Sequence, residues 1–396
     1  MGRKPGRRAY ELSHPWIDFT LDLRRLNFEV WLLLGEAAAL CEEIASAPLK
    51  PSAAERLHRV YLAKGVSGTT AIEGNTLTER EIQDRIEGRL RLPKSKEYLG
   101  REVDNVVGAF NEVRKRVIED AERTVNVPEI LDFNRRVLAG LEVAPDVRPG
   151  EIRLHSVGVA RYRGAPAEDC DHLLERLCAW LNDEAAWRVG PPVVAGLLRA
   201  VVGHLYVAWI HPFGDGNGRT ARLLELKLLL AAGTPTPAVH LLSNFYNETR
   251  EEYYRALDRA NREPSSGVAG FIAYAVRGFV DAARDQARTI RGHLFDVAWD
   301  AHVYESFGDQ PRETGRRRRR LMLAMSDRSG AEERGPIPAA DVSMLSPRIA
   351  AEYARLSAKT LSRDLDALVE MGLLRESAQG YAPNRDRLRA FMPPRA

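Results

Sequence analysis

The sequence has little cysteine, few aromatics and almost no net charge. Three cysteines, Cys41, Cys170 and Cys178, are spread over 396 residues. That count argues against a disulfide framework, and the spacing against a close metal-binding pair, so a reducing, cytoplasmic setting is expected. Lys and Arg number 58 against 55 Asp and Glu, a balance of +3, and bulk charge therefore points to no particular partner. The basic start, MGRKPGRRAY, is followed by no apolar stretch, unlike a secretory leader. No run reaches the roughly 18 uninterrupted apolar residues of a membrane helix, so no membrane partner is expected. Gly6 stands where a myristoylation signal wants Ser or Thr, and no repeat at solenoid periods is visible. Hydrophobic residues at 44% and charged residues at 29% describe a globular chain and not a disordered one. Its length predicts about two or three domains.

Strand signals are scarce as well. From about Leu26 to Val125 apolar residues recur at three- and four-residue spacing, as in VWLLLGEAAALCEEI and LGREVDNVVGAFNEVRKRV, which predicts helices. The exception runs from Arg148 to Pro166, where partial alternation bounded by Pro and Gly reads as a short surface hairpin. The segment PPVVAGLLRAVVGHLYVAWI opens with two prolines and is apolar on almost every side, as a central buried helix would be. The loop HPFGDGNG interrupts it, and RTARLLELKLLLAAG resumes the helical pattern and stops at Gly233. Helices are expected to about Ala301, so the expected fold class is mainly α with a short β-hairpin flap.

The loop is where chemistry concentrates. Gly216 and Gly218 let the backbone curl so that N–H groups turn toward one point at the start of the next helix, where the dipole favours an anion. Arg219 and Arg222 are three apart on that helix and share a face, and their planar cationic forks suit a polyphosphate. Asp215 offers an oxygen ligand for the magnesium that accompanies a nucleotide, whereas a calcium loop is excluded because Arg219 falls at a ligand position. His211, at an ordinary pKa of about 6.5, could take a proton from an attacking hydroxyl near neutral pH. Singly, each residue has a plain structural explanation; together they make a nucleotidyl-transfer site.

His211, Phe213, Asp215, Gly216, Asn217, Gly218, Arg219 and Arg222 resemble, at every fixed position, the motif HxFx(D/E)GNGRxxR of the Fic family of protein AMP-transferases. The resemblance implies transfer of AMP from ATP to a Ser, Thr or Tyr hydroxyl of a target protein, with pyrophosphate leaving. It also implies roles: His211 as general base, Asp215 on Mg²⁺, the Gly216 to Gly218 backbone with Asn217 as anion hole, and Arg219 gripping phosphate. The flap residues Val157, Gly158, Val159 and Ala160 fall where the family aligns a target segment by strand-like pairing. YYRALDRAN resembles a downstream segment whose Tyr253, Tyr254 and Asn261 would line the nucleotide pocket. Some family members transfer a different phosphate-containing group.

Thr69, Glu73 and Gly74, within TTAIEGNTLT, resemble the family's inhibitory motif (S/T)xxxE(G/N), lying N-terminal to the loop as in one class of the family. The implied physics is that Glu73 pairs with Arg222 and puts negative charge where the terminal phosphate should lie. The same glutamate could instead position a water that removes AMP.

The stretch from about Ser346 reads as helix, turn, helix and hairpin and resembles a winged helix-turn-helix domain. Lys359, Thr360 and Arg363 stand near the start of its second helix, where a major groove would be read, and the arginines from Arg316 to Arg320 could add phosphate contacts. Such domains also dock proteins, so DNA binding and docking both stay open, as does a homodimer. The expected layout is a helical region over 1–110 with the inhibitory motif, a catalytic domain over 111–301, a linker over 302–338 with LMLAM as a candidate helix inside it, and a winged-helix domain over 339–396. Its leading function is an autoinhibited adenylyltransferase, and the alternative is a DNA-binding regulator whose Fic domain senses nucleotide.

Overall fold

Caps mark where several helices begin. The computed structural model describes residues 7–119, 121–159, 162–308, 312–328 and 335–388. After a short helix α1 (Tyr10–Ser13), Asn27 caps α2 (Phe28–Ser46) by accepting from the Val30 N–H. Pro51 opens α3 (Pro51–Ile72), where its missing N–H costs nothing. Thr78 and Glu81 form a reciprocal capping box at α4 (Glu79–Ile86). Next come α5 (Glu97–Ile118) and α6 (Val127–Val137), the latter capped by Asn126. Beyond the flap lie α7 (Cys170–Asn182), α8 (Pro192–Ile210), α9 (Asn217–Ala231), α10 (Leu241–Glu248), α11 (Arg250–Arg262) and α12 (Pro264–Phe307).

The centre is the pair α8 and α9, joined by the His211 loop. Fifteen of the 19 residues of α8 are buried, and 13 of the 15 of α9. By length and composition α8 could cross a membrane, but here it is the core helix the sequence predicts. Fully buried leucines such as Leu197, Leu205, Leu224 and Leu229 contribute about 1.5–3 kcal/mol each. Helix α9 ends at Ala231, with Gly233 in the left-handed region two residues on (φ 84°). Helix α3 crosses α10 closely enough that side chains are excluded at the crossing. A Cβ on Gly68 would lie 2.6 Å from the Ser243 carbonyl oxygen, and one on Gly65 2.6 Å from the His240 ring. The flap is smaller than the alternation suggests: β1 (Gly158–Val159) pairs antiparallel with β2 (Tyr162–Arg163), Gly158 opposite Arg163 and Val159 opposite Tyr162.

The chain divides into two units, residues 1–289 and 290–396. This differs from the expected layout: the N-terminal helical region and the catalytic region form one unit, and the boundary falls within α12. Nor is 302–338 simply a linker. Helix α13 (Glu313–Arg328) puts Leu321, Met322 and Met325 into the core of the second unit with Trp299, Val303, Leu365 and Leu368. Its surplus of arginines hides that apolar face. The second unit continues with α14 (Ala339–Val342), α15 (Pro347–Tyr353), α16 (Ala358–Glu370) and a hairpin of β3 (Leu374–Ser377) and β4 (Gly380–Pro383). Three of the arginines expected to meet phosphate are engaged inside this unit. Arg317 and Arg318 donate to the buried Asp364 at 2.7 and 2.8 Å, and Arg320 donates to Glu352. Lys359 and Arg363 are exposed on α16, while Thr360 meets the Ser357 hydroxyl at 3.0 Å.

Candidate active site

The site forms where α8 stops. His211 takes a left-handed conformation (φ 50°) while its N–H still bonds the Val207 carbonyl at 2.8 Å. A side chain with a Cβ rarely adopts that backbone. It breaks the helix and begins the loop. Burial, the largest influence, pushes the imidazole pKa down to about 4; the Ala208 carbonyl acts the other way, and nearby Arg153 adds to the depression. The ring is therefore neutral at physiological pH.

Gly216, also left-handed (φ 76°), precedes α9, and no side chain caps this helix. Its first-turn N–H groups are left for whatever occupies the space before them. Asn217 is tied to Phe213 by two bonds, accepting from its N–H at 3.0 Å and donating to its carbonyl at 2.8 Å. The Asn217 amide thus braces the loop, and what this residue offers an anion is its backbone. Asn134, on α6, braces the loop from below by donating to the Asp215 carbonyl at 2.9 Å.

The two arginines face different surroundings. Arg222 has a side chain only 1% exposed; its Nη2 donates to Glu73 Oε1 at 2.5 Å and to the Thr69 carbonyl at 3.1 Å. Its Nε and Nη1 have no partner among the described residues. Arg219 turns the other way, donating to Glu102 at 2.8 Å and to Asp215 at 3.3 Å. It lines a second cavity of about 430 Å³ with Tyr98, Glu102 and Glu142, and is not among the residues lining the main one.

The main cavity, about 930 Å³, is lined by His211, Asp215, Gly216, Asn217, Gly218 and Arg222. Tyr253, Tyr254, Asn261, Glu73, Val157 and Gly158 complete the part expected from the sequence. Tyr253 points its hydroxyl at His204 (2.8 Å), and Asn261 accepts from the Trp209 indole at 2.7 Å. Of the flap residues, Val159 belongs to β1, and Ala160 lies outside the described residues. The other edge of β1 has no strand partner among the described residues.

Glu73 follows the last residue of α3 as its C-cap, and Gly74 is left-handed (φ 103°). The Glu73 carboxylate occupies the space that a Cβ at Gly218 would take. Burial opposes its charge, but Arg222, with help from Arg219 and Arg250, prevails and keeps the carboxyl below its usual range. The buried guanidinium thus already holds an anion supplied by the chain itself, next to the N-terminus of α9. Thr69, the other fixed position of the motif, is buried and contributes its carbonyl to Arg222.

Asp215 fits a single-carboxylate magnesium ligand. Its side chain is 47% exposed and borders both cavities. Oδ1 accepts from the Gly216 N–H and from Arg219, which leaves Oδ2 for an ion that keeps most of its waters. No cluster of three or more potential metal ligands occurs among the described residues.

Several residues that shape the site carry no signal in the sequence. Arg153, buried in the flap region, donates to the carbonyls of His211 (2.7 Å), His155 (2.6 Å) and Ala165, tying flap and histidine loop together. Glu102 engages Arg219, and Arg250 holds the end of α3. None carries a local signal, because each acts on a partner at least 50 residues away or on backbone carbonyls.

The Fic/DOC family model matches residues 124–229. Over 210 residues the chain is 31% identical to Protein adenylyltransferase fic-1 of Caenorhabditis elegans, covering 53% of this chain and 39% of that protein. It is 28% identical over 214 residues to Protein adenylyltransferase Fic of Nematostella vectensis, covering 54% and 47%. The chain thus spans less than half the length of these curated relatives. Among solved structures, Fic-1 from C. elegans aligns with a TM-score of 0.53 at 25% identity, covering 67% of this chain and 72% of that one. A Fic family protein from Desulfovibrio desulfuricans G20 shares the fold, with a TM-score of 0.55 at 21% identity over 90% and 96% of the two chains. Residues 124–229, which hold the histidine, the glycine turn and both arginines, are thus the part of this chain that is similar to the Fic/DOC family.

Proposed function

We propose that the chain transfers AMP from ATP to a hydroxyl side chain of a target protein, and that Glu73 restrains the reaction. The single observation that carries this is Arg222: a guanidinium almost wholly buried, with Nε and Nη1 unpartnered among the described residues, beside an uncapped helix N-terminus and a neutral imidazole. A buried cation with unused donors wants an anion, and the cavity has room for a nucleotide.

In the reaction the target oxygen attacks the α-phosphorus. A new P–O bond forms, the bond to the bridging oxygen breaks, and pyrophosphate leaves with that electron pair. The hydroxyl proton passes to the neutral ring of His211. A pKa near 4 makes a weak base, but a triphosphate beside the ring would raise it by stabilising the imidazolium. The α9 N–H groups and Arg222 would hold the phosphates. Magnesium, held by Asp215, would neutralise phosphate charge. The target segment would pair with the free edge of β1, bringing its hydroxyl over the loop.

Glu73 opposes this by occupying Arg222 and adding negative charge where the terminal phosphate belongs. Labelled ATP with a cell lysate tests the reading. Glu73→Gly should raise labelling about tenfold or more, Glu73→Gly with His211→Ala should lose about 10²–10⁴-fold, and mass spectrometry should find AMP on a hydroxyl residue. Equal labelling with and without His211, or a different added mass, contradicts it.

A further inference from the structure

The turn that carries Glu73 is fixed from both sides by residues outside the histidine loop. On one side stands Arg250, the first residue of α11. Its Nη1 donates to the Ala71 carbonyl at 3.2 Å and its Nη2 to the Ile72 carbonyl at 2.7 Å. These carbonyls end α3, where the last carbonyls lack the usual intrahelical donors and the dipole favours a cation; that of Ala71 also accepts from the Gly74 N–H at 3.0 Å. Glu73 is the next residue. On the other side the buried Asn75 donates to the Leu99 carbonyl at 3.0 Å and to Glu102 at 2.9 Å, and accepts from the Leu77 N–H. Between the two anchors Gly74 takes φ 103°, so the turn reverses in one residue. The direction of the Glu73 carboxylate is set by these anchors as much as by its own pair with Arg222.

We propose that Arg250 is a positioning residue that holds the Glu73 turn against Arg222, so that losing its two bonds releases the restraint. The inference rests on reading Glu73 as a brake. Arg250 is exposed, and it joins segments 178 positions apart without filling any core. Bonds from an exposed arginine are worth little to global stability, but they act on the last turn of a helix, the part that frays first. Without them the end of α3 loosens, Glu73 leaves Arg222 part of the time, and the guanidinium becomes available to phosphate. Arg250 itself does not line the cavity, but its guanidinium lies 6.0 Å from the ring of Tyr254, a cavity residue one turn further along α11.

The test uses the full chain and labelled ATP, comparing Arg250→Ala, Arg250→Gln and Arg250→Lys in the Glu73 and the Glu73→Gly backgrounds. With Glu73 present, the Ala and Gln variants should raise transfer about three- to tenfold, the range expected for losing bonds of this kind. Lys, which still donates to carbonyls, should return part of the restraint. In the Glu73→Gly background the same substitutions should change transfer less than about twofold, because nothing remains to be held. The thermal midpoint should stay within a few degrees throughout, as befits an exposed site. An equal rise in both backgrounds, or a rise on Glu73→Gly with none on Arg250→Ala and Arg250→Gln, overturns the role of Arg250. No rise even on Glu73→Gly overturns the brake itself, and this inference with it.

Discussion

His211 combines two features that individually cost stability: a left-handed backbone and a desolvated ring. The backbone turns the side chain out of the α8 axis toward the cavity, and Arg153 holds the exposed carbonyl that results. Burial favours the neutral form, so the folded pKa lies below the unfolded one. Between about 6.5 and about 4 the unfolded chain binds the extra proton, and acidification through that window works against folding. The expected outcome of a histidine NMR titration without nucleotide is a His211 ring that stays neutral down to about pH 5. A midpoint at 6.5 or above would mean the ring is solvated. The spacing marks Arg219 and Arg222 alike as phosphate ligands, yet only Arg222 lines the main cavity, and nothing in the spacing shows Arg219 as a partner of Glu102. Three-residue spacing puts two side chains on one face of a helix and says nothing about a carboxylate arriving from α5.

At the scale of elements, the placement of α3 depends on how closely it approaches α10. Gly65 and Gly68 mark that crossing, and neither looked special in a sequence that reads simply as helix. Gly68→Ala would drive a Cβ into the Ser243 carbonyl oxygen and the Asn244 Cα, 2.6 and 2.9 Å away. Backbone atoms yield only by moving an element, so the substitution should destabilise the chain by about 1–3 kcal/mol, read from chemical denaturation. It should also raise AMP transfer by shifting the end of α3. An unchanged stability would mean the crossing is looser than described. The helices themselves were legible because their apolar spacing and caps agree, as at Thr78 with Glu81. The flap was legible as a hairpin, but its two-residue strands were not, since pairing there depends on Arg153 and on Tyr162, which donates to the Trp209 carbonyl at 2.7 Å.

For the whole molecule, the division expected at residue 110 is not the one the fold makes: the Glu73–Arg222 pair, which the two motifs together imply, spans 149 positions within one unit. Composition misled in the other direction at 313–328, where an arginine-rich surface conceals the buried Leu321, Met322 and Met325. The central claim is that Arg222 and the N-terminus of α9 exchange the carboxylate of Glu73 for the terminal phosphate of a nucleotide. A crystal structure of the Glu73→Gly chain with magnesium and a non-hydrolysable ATP analogue measures this directly. The account predicts the terminal phosphate on Arg222 Nε and Nη1, with the α-phosphorus facing the His211 ring across a gap that admits one hydroxyl. Phosphates bound elsewhere, with Arg222 still unpartnered, would contradict it.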